Sequence, residues 1–295
     1  MKANVSNDPV GLIAGWGRFP IVVAQALKAQ GRKVYCLGVK DHADPELEHL
    51  CDDFQSIGVA RLGAAIRYFR RQGIEQATMA GKIHKILLFQ KFYWLKHLPD
   101  LTFVRNFYPH FITKTQDRRD DTMLGVFVDA FGRNGIRIAP ATDFAPELLV
   151  RIGQLSGHRL TPGQRKDIEF GWKLATEMGR LDIGQSVAVK GRAILAVEAV
   201  EGTDECIQRA GELCPAGGFT VVKVAKPQQD MRFDVPTVGM GTLRSMAMAG
   251  ARVLAVEADR TILIDEPEFV QFAHRHRISV IALKDGAITS WADAA

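Results

Sequence analysis

The strongest constraint lies near the amino terminus. Residues Val10 to Ala14 form a short apolar run that stops at Gly15-Trp16-Gly17-Arg18-Phe19-Pro20, and Ile21, Val22, Ala24 and Leu27 then follow a helix-like pattern. Gly31 closes that helix, and Lys33 to Val39 is rich in β-forming residues. Strand, glycine turn, helix and strand make a βαβ unit, which demands a parallel sheet covered by helices. Phe54 to Val59 predicts a third strand, Leu62 to Gln72 a helix, and Gln76 to Gly81 a strand running into glycine. Asp121 to Gly132 predicts a further helix and Ile136 to Ala139 a strand.

These elements make residues 1–140 a Rossmann-like, doubly wound domain. Pro140 to Pro162 is rich in Pro, Gly, Ser and Thr, so residues 141–162 read as a connection. A second α/β domain is expected over residues 163–295, with helices near 167–178, 203–213, 242–249 and 266–275. Its strands fall near 186–189, 193–199, 220–225, 253–256, 261–264 and 279–283. A chain of 295 residues is long enough for two such cores.

Hydrophobic residues at 47% and charged residues at 24% exclude disorder and fibrous repeats. No apolar run approaches the roughly 18 to 20 residues that cross a bilayer, and no secretory leader opens the chain, so a cytoplasmic protein is expected. Cys36, Cys51, Cys206 and Cys214 form no C-x-x-C pair and read as free thiols. The net charge of +5 is concentrated locally: residues 82–119 hold eight Lys or Arg against Asp100 and Asp117, with eight of the 24 aromatic residues. That segment fits a core with a basic rim, a lipid-facing element or, least well, a single-stranded nucleic-acid surface.

Four places can carry chemistry. The Gly15-x-Gly17 turn can bring backbone N–H groups to a phosphate, although Pro20 stands where a dinucleotide fingerprint has glycine. Asp120 and Asp121, at a helix start after Arg118-Arg119, fit either capping or a hard cation near phosphates. Glu198, Glu201 and Asp204 crowd carboxylates at strand-to-helix loops, where Thr203 and Asp204 also suit a helix cap. The stretch from Lys223 to Gly239 places Lys226, Arg232, Asp230 and Asp234 in a loop held by Pro227 and Pro236. Cations for phosphate oxygens beside a carboxylate for a metal or a water suit attack on phosphorus.

Four ordered motifs carry a resemblance: Gly11-Leu12-Ile13-Ala14-Gly15-x-Gly17-x-x-Pro20, Gly179-Arg180-Leu181-Asp182-Ile183-Gly184-Gln185, Ala196-Val197-Glu198-Ala199-x-Glu201-Gly202-Thr203-Asp204, and Lys226-Pro227-x-Gln229-x-x-Arg232-x-Asp234-x-Pro236-Thr237-x-Gly239. Together they resemble the two-domain, non-calcineurin UDP-2,3-diacylglucosamine pyrophosphatase family of lipid A biosynthesis. The resemblance implies a hydrolase that cleaves the diphosphate of UDP-2,3-diacylglucosamine, giving UMP and 2,3-diacylglucosamine 1-phosphate with help from Mg2+ or another divalent cation such as Mn2+. It also implies two α/β domains that enclose the substrate, and an essential acidic residue that falls on Asp234.

On this basis Asp234 is the expected catalytic residue and metal ligand, with Asp120, Asp121 and Asp204 as further metal candidates. Gly15, Gly17, Gly81, Gln185, Thr203, Lys226, Arg232 and Thr237 are the expected substrate-binding residues. The implied partners are the UDP-linked lipid, its product and the cytoplasmic face of the inner membrane as a peripheral site, with no nucleic acid and a homodimer left open. A nucleotide-dependent oxidoreductase and a non-catalytic nucleotide- or lipid-binding homologue are the alternatives.

Overall fold

A computed structural model describes residues 8–83, 98–112, 120–232 and 234–284, and side chains other than those of 108–112 and 120–123. The chain divides into two units, residues 1–146 with 230–233, and residues 147–229 with 234–295.

In the first unit, β1 (Val10–Ala14), β2 (Val34–Val39), β3 (Asp53–Ile57), β4 (Gln76–Ala80) and β5 (Arg137–Ile138) form one sheet in the order β3-β2-β1-β4-β5. Every pairing is parallel. The apolar runs of the central strands β1 and β2 are buried, as strands covered on both faces require. The helices are α1 (Phe19–Ala29), α2 (Glu46–Leu50), α3 (Leu62–Arg71), α4 (Leu101–Ile112), α5 (Asp120–Gly132) and α6 (Ala141–Phe144). Pro20 sits in the first turn of α1, where its missing N–H costs nothing. Leu62, Ile66 and Phe69 of α3 face a core with Leu37, Phe107 and Phe131.

α4 falls inside the basic, aromatic stretch. Phe107 is fully buried and stacks on Phe103 with ring centroids 4.3 Å apart, and both rings meet Phe127. These aromatics belong to the core. Leu101, exposed to 83%, points outward with Val104 and Arg105. Phe89, Phe92, Tyr93 and Trp94 lie outside the described residues.

The second unit contains β6 (Gly153–Ser156), α7 (Pro162–Arg180), β7 (Ser186–Lys190), β8 (Ala193–Val197), α8 (Thr203–Leu213), β9 (Thr220–Lys223) and β10 (Thr237–Val238). It continues with α9 (Met240–Ala249), β11 (Val253–Glu257), β12 (Ile262–Leu263), α10 (Glu266–Arg275) and β13 (Ser279–Leu283). Six strands run β6-β13-β11-β9-β7-β8. The three central strands are mutually parallel, while β6, β7 and β8 pair antiparallel. β10 and β12 form a separate parallel pair.

Successive residues of a strand face opposite ways, so Val221 joins Phe219, Leu243, Met246 and Phe269 on one face, and Val222 joins Ile168 and Trp172 on the other. Gly171 lets α7 press onto that second face: a Cβ there would lie 2.8 Å from Val222. Thr161 and Gln164 form a reciprocal capping box that opens α7. The Pro- and Gly-rich stretch after Pro140 supplies α6 to the first unit and β6 to the second, where β6 covers the edge of β13. Among the described residues no helix is long and apolar enough to cross a membrane.

Candidate active site

In the first unit, β1 and β4 are neighbours, and the turns that follow them meet. The Gly15 amide donates to the Ala80 carbonyl at 2.8 Å, the Trp16 amide donates to the Lys82 carbonyl at 2.8 Å, and the Lys82 amide donates back to Trp16 at 3.0 Å. A Cβ on Gly15 would lie 2.7 Å from the Lys82 carbonyl oxygen. Gly81 has φ +91°, and a Cβ there would lie 2.8 Å from Gly15, Pro20 and Trp16. Each of these two glycines leaves room for the other's turn. The amides of Gly15 and Trp16 are engaged within the fold, whereas Gly17, at φ +103°, borders open space.

In the second unit, three sequence-distant motifs converge at the carboxyl end of β9. β7 runs antiparallel to β9 in a register that places Ser186 opposite Lys223. The Glu198 amide donates to the Ser186 carbonyl at 2.9 Å, which brings the end of β8 to the same place. Gly184 is forced by this approach, since a Cβ would lie 2.1 Å from the Glu198 carbonyl oxygen.

The side chains there form one buried network. Lys223 Nζ donates to Thr203 Oγ1 and to the Thr237 carbonyl, each at 3.1 Å. The Thr203 hydroxyl donates to Glu198 Oε1 at 2.9 Å, and the Gln185 amide donates to Glu198 Oε2 at 3.3 Å. Thr203 has only one proton to give, so the Ser186 hydroxyl, 3.2 Å away, is the donor in their contact. Glu198 and Lys223 are only 7% and 6% exposed, so both must be satisfied internally. The side-chain oxygen of Gln185 is buried with no hydrogen-bond partner among the described residues.

The loop between Lys223 and β10 is held from several sides. Glu257 accepts from the Ala225 amide at 2.8 Å, and Arg260 donates to the Lys226 carbonyl at 3.1 Å. Lys226 Nζ donates to Asp182 Oδ1 at 2.6 Å. Gln229 accepts from the Lys226 amide and donates from Nε2 to Asp234 Oδ2, both at 2.8 Å. The Thr237 hydroxyl donates to the Val235 carbonyl at 2.9 Å. Asp234 is therefore oriented by a glutamine whose own position follows from Lys226.

Arg232 grips Asp230 through Nε, at 2.9 and 3.0 Å, and through Nη2 at 2.5 Å. The Arg232 guanidinium lowers the Asp230 carboxyl from the ordinary range, and Asp230 raises Arg232 in turn. Asp204 lies in the first turn of α8, where a carboxylate is favoured by the helix dipole. The side chains of Asp120 and Asp121, at the start of α5, lie outside those described. Among the described residues no three His, Cys, Asp or Glu side chains gather to hold a metal ion.

The structure thus joins Gln185 through its amide, Thr203 and Thr237 in one network, and links Lys226 to Asp234 through Gln229. It adds Lys223, Ser186, Asp182, Gln229, Glu257 and Arg260, which residue types alone do not single out as site members. Lys223 carries one readable signal, a charge within the apolar run Val221-Val222-Lys223-Val224, because a buried ammonium needs partners.

The LpxI N-terminal domain profile matches residues 9–148 and the LpxI C-terminal domain profile matches residues 151–281. The chain belongs to the LpxI family. A relative named UDP-2,3-diacylglucosamine pyrophosphatase LpxI, from Caulobacter vibrioides, is 30% identical over 274 residues, covering 90% of this chain and 93% of its own. All four motifs lie within the matched residues. A biotin carboxylase structure from Campylobacter jejuni matches at 14% identity over 70% of this chain and 42% of its own, with a TM-score of 0.27 that carries no weight for the fold.

Proposed function

We propose that this LpxI family member hydrolyses the diphosphate bond of UDP-2,3-diacylglucosamine to UMP and 2,3-diacylglucosamine 1-phosphate in lipid A biosynthesis. The observation that carries the reading is the loop from Lys223 to Thr237, in which a carboxylate and two cations are held by defined partners on a chain of this family.

Attack of water on phosphorus needs an oriented water and positive charge beside the oxygens that gain charge. Asp234, turned by Gln229, positions the water and takes up its proton. Lys226, paired with Asp182, and Arg232, paired with Asp230, are the cations proposed to meet phosphate oxygens. Thr237, Thr203 and Gln185 shape the loop's surroundings, and Gly17 leaves space for the nucleotide or phosphate at the turn after β1. A divalent cation belongs to the proposal as a requirement that accompanies a diphosphate substrate. The described residues do not gather a ligand set for it. Peripheral attachment to an anionic lipid surface is part of the same reading, supported by the exposed apolar Leu101 and Val104 beside Arg105 on α4.

The test is release of UMP from UDP-2,3-diacylglucosamine in mixed micelles, with Mg2+ and again with a chelator. Wild-type protein releases UMP, and Asp234→Asn lowers kcat by about a thousandfold. Near-normal turnover by the variant overturns the role of Asp234. Turnover that survives the chelator removes the cation.

A further inference from the structure

We infer that Lys223 is a positioning residue for the reaction, clamping both ends of the loop that carries Asp234. The inference rests on the function proposed above and goes beyond it to a nearly buried residue behind the loop. Lys223 is the last residue of β9, so its own backbone is one foot of the loop. Its ammonium donates to the carbonyl of Thr237, the first residue of β10, which is the other foot. One side chain therefore closes the loop across fourteen positions.

The clamp is anchored from behind. The same ammonium donates to Thr203, which passes its single proton to Glu198. Glu198 is in turn fixed by the Gln185 amide and by its own amide on Ser186. A buried ammonium and a buried carboxyl each carry a large desolvation cost, and removing one partner leaves the other uncompensated. An apolar pair would fill this volume more cheaply, but it would leave the Thr237 carbonyl without this donor. What the charges provide is direction: the ammonium can bridge Thr203 and Thr237 only when the loop's far end is in place.

The consequence falls on Asp234, three residues before the clamped carbonyl, with only Val235 and Pro236 between. Misplacing a reacting group by about 1 Å costs on the order of a hundredfold in rate. Releasing the Thr237 end therefore lowers kcat more than it weakens binding of the rest of the substrate.

The experiment compares full-length wild type with Lys223→Met, Thr203→Val and Thr203→Ser. Thr203→Val keeps both charges and the side-chain shape, so it covers the case in which Lys223→Met fails to fold. The expected result is a fall in kcat of about tenfold to a hundredfold for Lys223→Met and Thr203→Val, with KM within about twofold and recovery in Thr203→Ser. A purely structural role would lower Tm and leave kcat per folded molecule unchanged, and that result overturns the inference. So does a loss confined to KM. Hydrogen exchange of the amides between Val224 and Thr237 gives a second readout, expected to speed up about tenfold in Lys223→Met. Unchanged exchange overturns the clamp. If wild type releases no UMP, the proposed reaction fails, and the exchange rates still decide whether Lys223 holds the loop.

Discussion

The two units use the carboxyl ends of parallel strands in opposite ways. In the first, the turns after β1 and β4 are packed against each other, with backbone bonded to backbone and glycines where any Cβ would collide. In the second, the carboxyl end of β9 collects polar side chains from three separate stretches, and a long loop springs from it. The contrast shows that glycine and polar motifs at strand ends answer different needs. Glycines permit close approach of two pieces of main chain, while buried polar side chains tie distant segments to one another.

Substitution at the forced glycines tests that contrast most severely. Gly81→Ala places a side chain at φ +91° and within 2.8 Å of three neighbours, and it is expected to destabilise by about 3 kcal/mol. Urea unfolding would show the loss, with kcat per folded molecule retained. Gly184→Ala, whose Cβ would meet the Glu198 carbonyl at 2.1 Å, should lose stability and turnover together. Should Gly81→Ala keep its stability but lose substrate affinity, the glycine serves a ligand and the contrast breaks.

Thiol reactivity gives a smaller effect that also separates the units. In the first, the Cys36 thiol hydrogen-bonds Cys51 and lowers its pKa, while that contact and burial raise Cys36. In the second, burial pushes Cys206 up to about 12. Under native conditions iodoacetamide should label Cys51 about tenfold faster than Cys36 or Cys206, as read by peptide mass spectrometry. Equal labelling would show that the buried thiols open to solvent.

The smallest effect concerns Asp230. Its folded pKa is depressed by Arg232, so its contribution is present above the unfolded carboxyl value of about 4 and is lost as pH falls through the folded value. Asp230→Asn should cost about 1 kcal/mol or less at pH 7, because the pair is partly open to solvent and joins residues only two positions apart. The gap between variant and wild type should close below about pH 4. A gap that persists in acid would assign the effect to packing instead of charge.

Much of this is legible in the residues. The run Val10 to Ala14 followed by Gly15-x-Gly17 and Pro20 reads as strand, turn and helix, and β1 and α1 are found there. α4 is harder to see, because Leu101–Ile112 is apolar or aromatic at most positions and contains Pro109, so no single stripe marks out Phe103 and Phe107 as the core residues. β6 is harder still, since Gly153-Gln154-Leu155-Ser156 has no strand pattern and forms only because β13 offers an edge. Asp234 stands out through its motif, yet nothing near it in sequence announces that Gln229 orients it.

The residues alone point to the alternation of strands and helices and to the short list of acids and cations able to act on phosphorus. These depend on local periodicity and residue type, which a linear chain displays directly. The tertiary structure alone shows that Gly15 and Gly81 pack closely against one another, and that Lys223, Thr203 and Glu198 share one hydrogen-bond chain. The physical reason is register: β7 meets β9 antiparallel with Ser186 opposite Lys223, and no local pattern encodes which residues of two strands will face each other.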